Sequence, residues 1–214
     1  MHTPILFCGL VRCGRAFPLS VSVHCNVKFN TMSTEKAESN EASNKDASID
    51  VIVRPATRAD MQHVLDMIQE LAQYEGAPEG VKITTEDLVR DGFESSYPWF
   101  SCLIATCSGS GEVLGHVMYN RAYSSWTHRS YYIEDLYVRP AARGKRVGIR
   151  LLNHLCKLAV SENVHRVDWH VLETNDLALR FYSQLGARDL HITENRAAMR
   201  LDRPNIEKLA NENL

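Results

Sequence analysis

Residues 131–150 read YYIEDLYVRPAARGKRVGIR. An apolar-rich, partly alternating run stops at Pro140, a basic turn with Gly144 and Gly148 follows, and a helical pattern starts straight after it. Strand, glycine-containing turn, helix start: this layout suits phosphate groups. Backbone N–H groups at a helix N-terminus point outward unpaired, and the helix dipole favours an anion there. The same strand carries Glu134 and Asp135 ahead of the turn. Carboxylates beside an anion site imply a second ligand, and a cationic one.

Working outward, this strand is the third of three. FSCLIATC (100–107) and VLGHVMYNRAY (113–123) flank turn chemistry at 108–111 and read as a hairpin. A break at 124–129 leads into the strand at 130–138, so the three form an antiparallel meander. Upstream, IDVIVRP (49–55) reads as a strand ending at Pro55. Met61, Val64, Leu65, Ile68, Leu71 and Ala72 make one apolar stripe, which predicts a helix to about Tyr74–Glu75. Thr84 with Asp87 caps a second, short helix over 85–91, ended by Gly92.

Downstream, Val147, Leu151, Leu152, Leu155, Leu158 and Ala159 mark a helix to about Glu162. RVDWHVLE (166–173) is a β-type run. Asn175 opens a helix that continues through Phe181, Tyr182 and Leu185, with Gly186 at its C′ position. Residues 187–202 are expected to supply a last strand or hairpin. The order β-α-α-β-β-β-α-β-α-β implies a mixed sheet with helices on both faces, an α/β or α+β layered domain over 50–202.

The flanks differ in composition. Residues 1–31 contain no Asp or Glu but carry Arg12, Arg15 and Lys28. They read as an isoform-specific leader, with translation often starting at Met32; a mitochondrial presequence is the second reading. Residues 32–49 are almost free of large apolar side chains and read as a disordered linker. Residues 203–214 are taken as a C-terminal tail. The expected location is cytoplasmic, or mitochondrial if the leader acts as a presequence.

The net charge of −2 gives no general reason to expect nucleic-acid binding, and no apolar run is long enough to cross a bilayer. The cysteines at 8, 13, 25, 102, 107 and 156 form no Cys-x-x-Cys pair, which suits free thiols in a reducing compartment. His116, His128, His154, His165 and His170 show no metal-ligand spacing and read as surface or satisfied residues; no metal is expected. Cys156 reads as core.

The order of elements and the turn resemble the GNAT acyl-CoA N-acyltransferases, whose pyrophosphate loop follows the fourth strand as Arg/Gln-x-x-Gly-x-Gly/Ala. Here that stretch is Arg143-Gly144-Lys145-Arg146-Val147-Gly148. Arg146 stands where the family usually has Gly, so it either takes an ordinary helical conformation or is strained at positive φ. Across about 50–202 the chain is similar to the spermidine/spermine acetyltransferase subfamily, including its diamine and thialysine-acetylating relatives. The matching stretches are VIVRPAT (51–57), ELAQYE (70–75), EDLVRDGF (86–93), the Trp126 segment, YIEDLYV (132–138), RGKRVG (143–148) and NDLALRFYSQLGARDL (175–190).

The resemblance implies a GNAT fold: a mixed, mostly antiparallel central sheet with helices on both faces. It implies acetyl transfer from acetyl-CoA to a primary amine of a small cationic acceptor (a diamine, polyamine or thialysine) in a direct ternary complex, and a homodimer. Glu134 matches the subfamily's base-like Glu and Tyr182 its general-acid Tyr; their plain readings are a surface carboxylate and a core aromatic. The backbone of Leu136, Tyr137 and Val138 matches the pantetheine contact. Arg143, Gly144, Lys145, Arg146, Val147, Gly148 and Ile149 match the pyrophosphate cradle. Asn175, with Asp176, Leu177 and Ala178, matches the segment on the CoA arm, and Asn175 also reads as a plain helix N-cap. Tyr74, Glu75, Trp126, Glu134, Asp135 and Glu194 match the acceptor site. Polyamine-preferring members have an acidic residue and Pro just before the Trp; Ser124-Ser125-Trp126 looks like the thialysine/small-diamine branch. A protein or peptide N-acetyltransferase and an inactive acetyl-CoA-binding scaffold are the rival readings.

Overall fold

A computed structural model of the chain describes residues 50–212. The leader and linker expected over 1–49 lie outside the described residues. Five strands form one sheet in the spatial order of the chain: β1 (Val51–Pro55), β2 (Ser101–Cys107), β3 (Val113–Ser124), β4 (His128–Val138) and β5 (Arg166–Trp169). The first four pair antiparallel, and β5 joins β4 in parallel.

Helices cover both faces. On one, α1 (Met61–Tyr74) and α2 (Thr85–Val89) bury Met61, Val64, Met67 and Leu88 against Cys102, Ile104, Met118 and Tyr137. On the other, α3 (Val147–Ser161) buries Val147, Leu151, Leu155 and Ala159 against Leu103, Val117, Tyr131 and Ile133. Phe181 and Tyr182 of α4 (Asp176–Gln184) pack against that second core. Each helix follows its apolar stripe, because an amphipathic helix gains most of its stability by burying one face.

The start of α1 is fixed by charge as well as pattern. Thr57 donates from its N–H and its hydroxyl to the Asp60 carboxylate, each at 2.7 Å. Arg54 grips the same carboxylate at 2.8 and 2.9 Å. The Arg54 hydrogen bond holds Asp60 far below the usual carboxylate range. Thr84 and Asp87 cap α2 as expected.

Gly92 does not end α2. The chain continues in a widened turn over Arg90–Glu94, and a Cβ on Gly92 would lie 2.6 Å from the Phe100 ring. Gly92 is a packing glycine, which helix-end logic cannot distinguish from a stop.

The expected strand at 187–202 is absent. Leu190–Glu194 form a short helix, α5, which ends at Asn195 with φ of 53°. Asp189 explains the difference: its carboxylate accepts from His191 N–H at 2.8 Å, and its carbonyl accepts from the Thr193 hydroxyl at 2.6 Å. Local caps of this kind compete with sheet pairing. Residues 195–202 follow without regular structure, with Met199 91% exposed. Arg203–Ala210 form a further helix, α6. The run expected to pair over 166–173 does so only to Trp169.

Candidate functional site

β4 changes phase at Glu134. Met118 of β3 pairs with Asp135, and the next residue, Tyr119, pairs with Ile133, so Glu134 is an extra residue in the strand. The bulge reverses which side chains face which core. Tyr131 and Ile133 face α3; beyond the bulge Leu136 and Val138 do so, while Tyr137 faces α1. The partnership with β5 ends at the same point, at Ile133↔Trp169. From Glu134 to Val138, β4 therefore runs beside a gap with no strand on its β5 side. This is the stretch matched to the pantetheine contact, and it has no strand partner on that side.

Tyr182 of α4 lies by this gap. Its ring tilts against Trp169 at 4.9 Å and Phe181 at 5.3 Å. Burial pushes its phenol up to about 12, so it stays protonated at neutral pH and has a proton to give. Asn175 is a true N-cap: its side chain accepts from Ala178 N–H at 3.1 Å. That contact uses the amide oxygen to order the first turn of α4, including Asp176, Leu177 and Ala178.

The turn after β4 has the form an anion needs. Gly144 has φ of 77° with open space where a Cβ would stand. Val147, Gly148 and Ile149 begin α3, and no side chain caps its N-terminus. Arg146 is left-handed, with φ 64° and ψ 15°. Of the two conformations open to it, it has the strained one. Arg143 is turned inward: its Nε donates to the Val138 carbonyl at 3.0 Å, and its guanidinium lies 5.1 Å from the Tyr74 ring and 5.6 Å from the Tyr137 ring. Basic side chains, free helix amides and an unpaired strand edge together fit a pyrophosphate-bearing co-substrate.

The carboxylates expected around a cation are partly assembled. Asp135 shares the α1 face with its partner Met118. Burial pushes its carboxyl up to about 6, and the charges of Glu134 and Glu75 add to the effect. Both charges therefore reach Asp135, and Tyr74, at the end of α1, adjoins Glu75. Trp126 and Glu194 belong to a different cluster. Arg196 lies 5.3 Å from the Trp126 ring and pairs with Glu194 at 2.8 Å, while Arg188 adds a second pairing at 3.5 Å. Two arginines thus neutralise Glu194, apart from the three carboxylates. A cleft of about 560 Å³, lined by Tyr123, His128, Arg129, Asn163 and His165, opens at the opposite end of β4.

Several side-chain arrangements were not expected from the sequence. Tyr132 and His170 share a 2.6 Å hydrogen bond beside Glu134 on β4. Glu70 on α1 pairs with Arg139 at 3.3 Å. His116 is neither surface nor satisfied, contrary to expectation: it is 0% exposed, and neither ring nitrogen has a hydrogen-bond partner. Burial drives it down to about 4. Cys156, expected in the core, is exposed on the outer side of α3. The bulge does leave a trace in the sequence. Apolar positions run 131, 133, then 136, 138, a shift of phase that Tyr132 and Tyr137 blur. Among the described residues, no helix is long and apolar enough to cross a membrane, and no metal-binding cluster of His, Cys, Asp or Glu occurs.

Comparison with known proteins agrees with this architecture. Residues 65–187 match the model of the Acetyltransferase (GNAT) family. The chain is 36% identical to the thialysine N-epsilon-acetyltransferase of Sus scrofa over 75% of its own length and 97% of the relative's. It is 33% identical to the Homo sapiens spermidine/spermine N(1)-acetyltransferase-like protein 1, over 74% of its own length and 23% of that longer protein. Among solved structures, an integron cassette protein from the mobile metagenome of V. cholerae shares the fold, with a TM-score of 0.62 at 24% identity over 76% of this chain and 98% of that one. The chain belongs to the GNAT family and is an acetyltransferase.

Proposed function

We infer that the protein transfers acetyl from acetyl-CoA directly to a primary amine of a small cationic acceptor, a thialysine or short diamine in preference to a long polyamine. The observation that carries this reading is the grouping of Glu75, Glu134 and Asp135 beside the gap that begins at Glu134. A cation is the ligand such a group favours, because the charges of Glu134 and Glu75 raise the cost of ionising Asp135 until a cation joins them.

Glu134 takes a proton from the acceptor's ammonium, directly or through one water. The freed amine attacks the thioester carbon in the same complex. A backbone N–H of the unpaired stretch Leu136–Val138 donates to the carbonyl oxygen as it gains charge. As the C–S bond breaks, Tyr182 gives its proton to the departing sulfur, and water restores the phenol. The turn Arg143–Ile149 holds the pyrophosphate. Glu194, neutralised by arginines, adds no net attraction for a second ammonium, which supports a short acceptor. The reading includes a homodimer, supported by the exposure of Trp126 (79%) and Met199 (91%).

A thiol-release assay with acetyl-CoA across thialysine, lysine, putrescine, spermidine and spermine tests this. Release is expected with thialysine and putrescine above spermine. Release with none of them, while acetyl-CoA still raises the melting temperature, would leave only a binding protein.

A further inference from the structure

We propose that Arg143 stands in for the acceptor's ammonium on the face of Tyr74 until the pyrophosphate of the co-substrate draws it away, so that co-substrate binding opens the acceptor site. The proposal rests on the reading above, which puts the pyrophosphate on the turn and the amine near Glu75.

One side chain touches both halves of the site. The Arg143 backbone opens the turn, its Nε holds the Val138 carbonyl at 3.0 Å, and its guanidinium reaches Tyr74 at 5.1 Å. Those distances lie within the roughly 6 Å over which an aromatic face attracts a cation. The second ring, Tyr137, is 4% exposed and closed to an outside cation; Tyr74 is 52% exposed and open to one. Tyr74 is also followed by Glu75, so an ammonium drawn to that carboxylate meets the ring Arg143 already covers.

Arg143 is free to leave. Among the described residues no carboxylate lies within ion-pair distance of it; its contacts are two ring faces and one carbonyl. Charge-assisted hydrogen bonds to phosphate are stronger than an exposed cation–π contact, so an anion on the turn wins the guanidinium. Tyr74 then receives the acceptor. Linkage makes the effect mutual: whatever factor the co-substrate adds to amine affinity, the amine adds to co-substrate affinity.

Calorimetric titration of the full chain tests this, with coenzyme A as the unreactive co-substrate probe and thialysine or putrescine as the amine. In the wild type, coenzyme A should tighten amine binding about two- to five-fold, the equivalent of one exposed cation–π contact. Arg143→Gln should tighten amine binding to the coenzyme-free protein by about that factor and remove the enhancement. Tyr74→Leu should remove the enhancement without weakening coenzyme A binding, and Tyr74→Phe should keep it. An enhancement that survives both Arg143→Gln and Tyr74→Leu overturns the proposal. A denaturation double-mutant cycle between Arg143 and Tyr74 reads the stack without any amine: the coupling should be present in the free protein and vanish with saturating coenzyme A. Coupling that persists with coenzyme A bound also overturns it. A wild type that binds no coenzyme A fails differently, since that outcome removes the acetyl-transfer reading itself.

Discussion

The bulge at Glu134 and the turn at 143–148 interrupt the same stretch of chain in opposite ways. The turn is built from special backbone conformations: Gly144 and Arg146 both have positive φ. The bulge uses none, since no residue of β4 beyond His128 is left-handed. One irregularity is therefore visible as residue types, and the other only as a shift in apolar phase. They also differ in what they gather. The turn collects cations around free amides, while the bulge sets two neighbouring carboxylates into different surroundings, Glu134 exposed and Asp135 mostly buried.

The sharpest way to break this comparison is to delete Glu134. Removing the extra residue restores strict alternation, with Ile133 still facing α3 and Asp135 still opposite Met118. The variant should fold with stability near the wild type, yet lose about 10³-fold in kcat because the carboxylate is gone and the strand is regular. Circular dichroism and the thiol-release assay check the two halves. Loss of folding would make the bulge a structural necessity; near-normal turnover would make it idle.

The next largest effect concerns two titratable groups near the bulge, Asp135 and His116. Asp135 titrates at about 6 in the folded chain against an ordinary value of 3.8, so its charge costs stability above pH 6 and that cost disappears below 3.8. His116 has the opposite sign. It titrates at about 4 against 6.5, so it costs nothing above 6.5 and destabilises increasingly as pH falls to 4. Between pH 4 and 6 the two slopes oppose each other. Asp135→Asn should add up to about 3 kcal/mol at neutral pH and unmask a steep acid decline. Urea denaturation at half-unit pH steps measures both. An unchanged pH profile in the variant would show that Asp135 ionises normally.

Tyr182→Phe should lower kcat about 10²-fold while leaving the affinity for acetyl-CoA near wild type, since the ring still packs on Trp169 and Phe181. Unaltered turnover would remove its role as acid. The smallest effect belongs to the turn. A left-handed conformation costs a non-glycine residue about 1–2 kcal/mol, partly offset by the greater entropy glycine loses on folding. Arg146→Gly should therefore raise stability by about 0.5–1 kcal/mol, a few degrees in Tm. A fall in Tm would mean that the arginine side chain makes contacts worth more than its strain.

The sequence made legible those parts of the fold whose physics is local. Pro140, Gly144 and the stripe from Val147 to Ala159 specify turn and helix without help from elsewhere, and the hairpin and the Asn175 cap follow the same logic. Residues 187–202 were not legible because a strand needs an edge to pair with, and no residue in the segment says whether one is available. Asp189 settles the matter locally in favour of a helix turn. The site divides in the same way. Gly144 has the positive φ that a glycine position in a turn suggests, and Tyr182 packs on Trp169 and Phe181. The neutralisation of Glu194 by Arg188 and Arg196, the burial of His116 and the stacking of Arg143 on Tyr74 depend on side chains meeting from separate elements. Spacing along a chain carries no record of such meetings.

The coincidence of bulge and gap at Glu134 has a kinetic signature. Strand amides locked in ladders exchange with solvent only when the sheet opens, whereas unpaired ones exchange freely. Within β4, Tyr131 and Ile133 lie between two partner strands, while from Glu134 onward the amides that point toward β3 stay paired and those that point the other way have no strand partner. Deuterium uptake should therefore step upward part-way along one continuous strand. A ligand that completes the missing edge would erase the step, so the length of the fast-exchanging stretch would report, in time rather than distance, how far along β4 that ligand reaches.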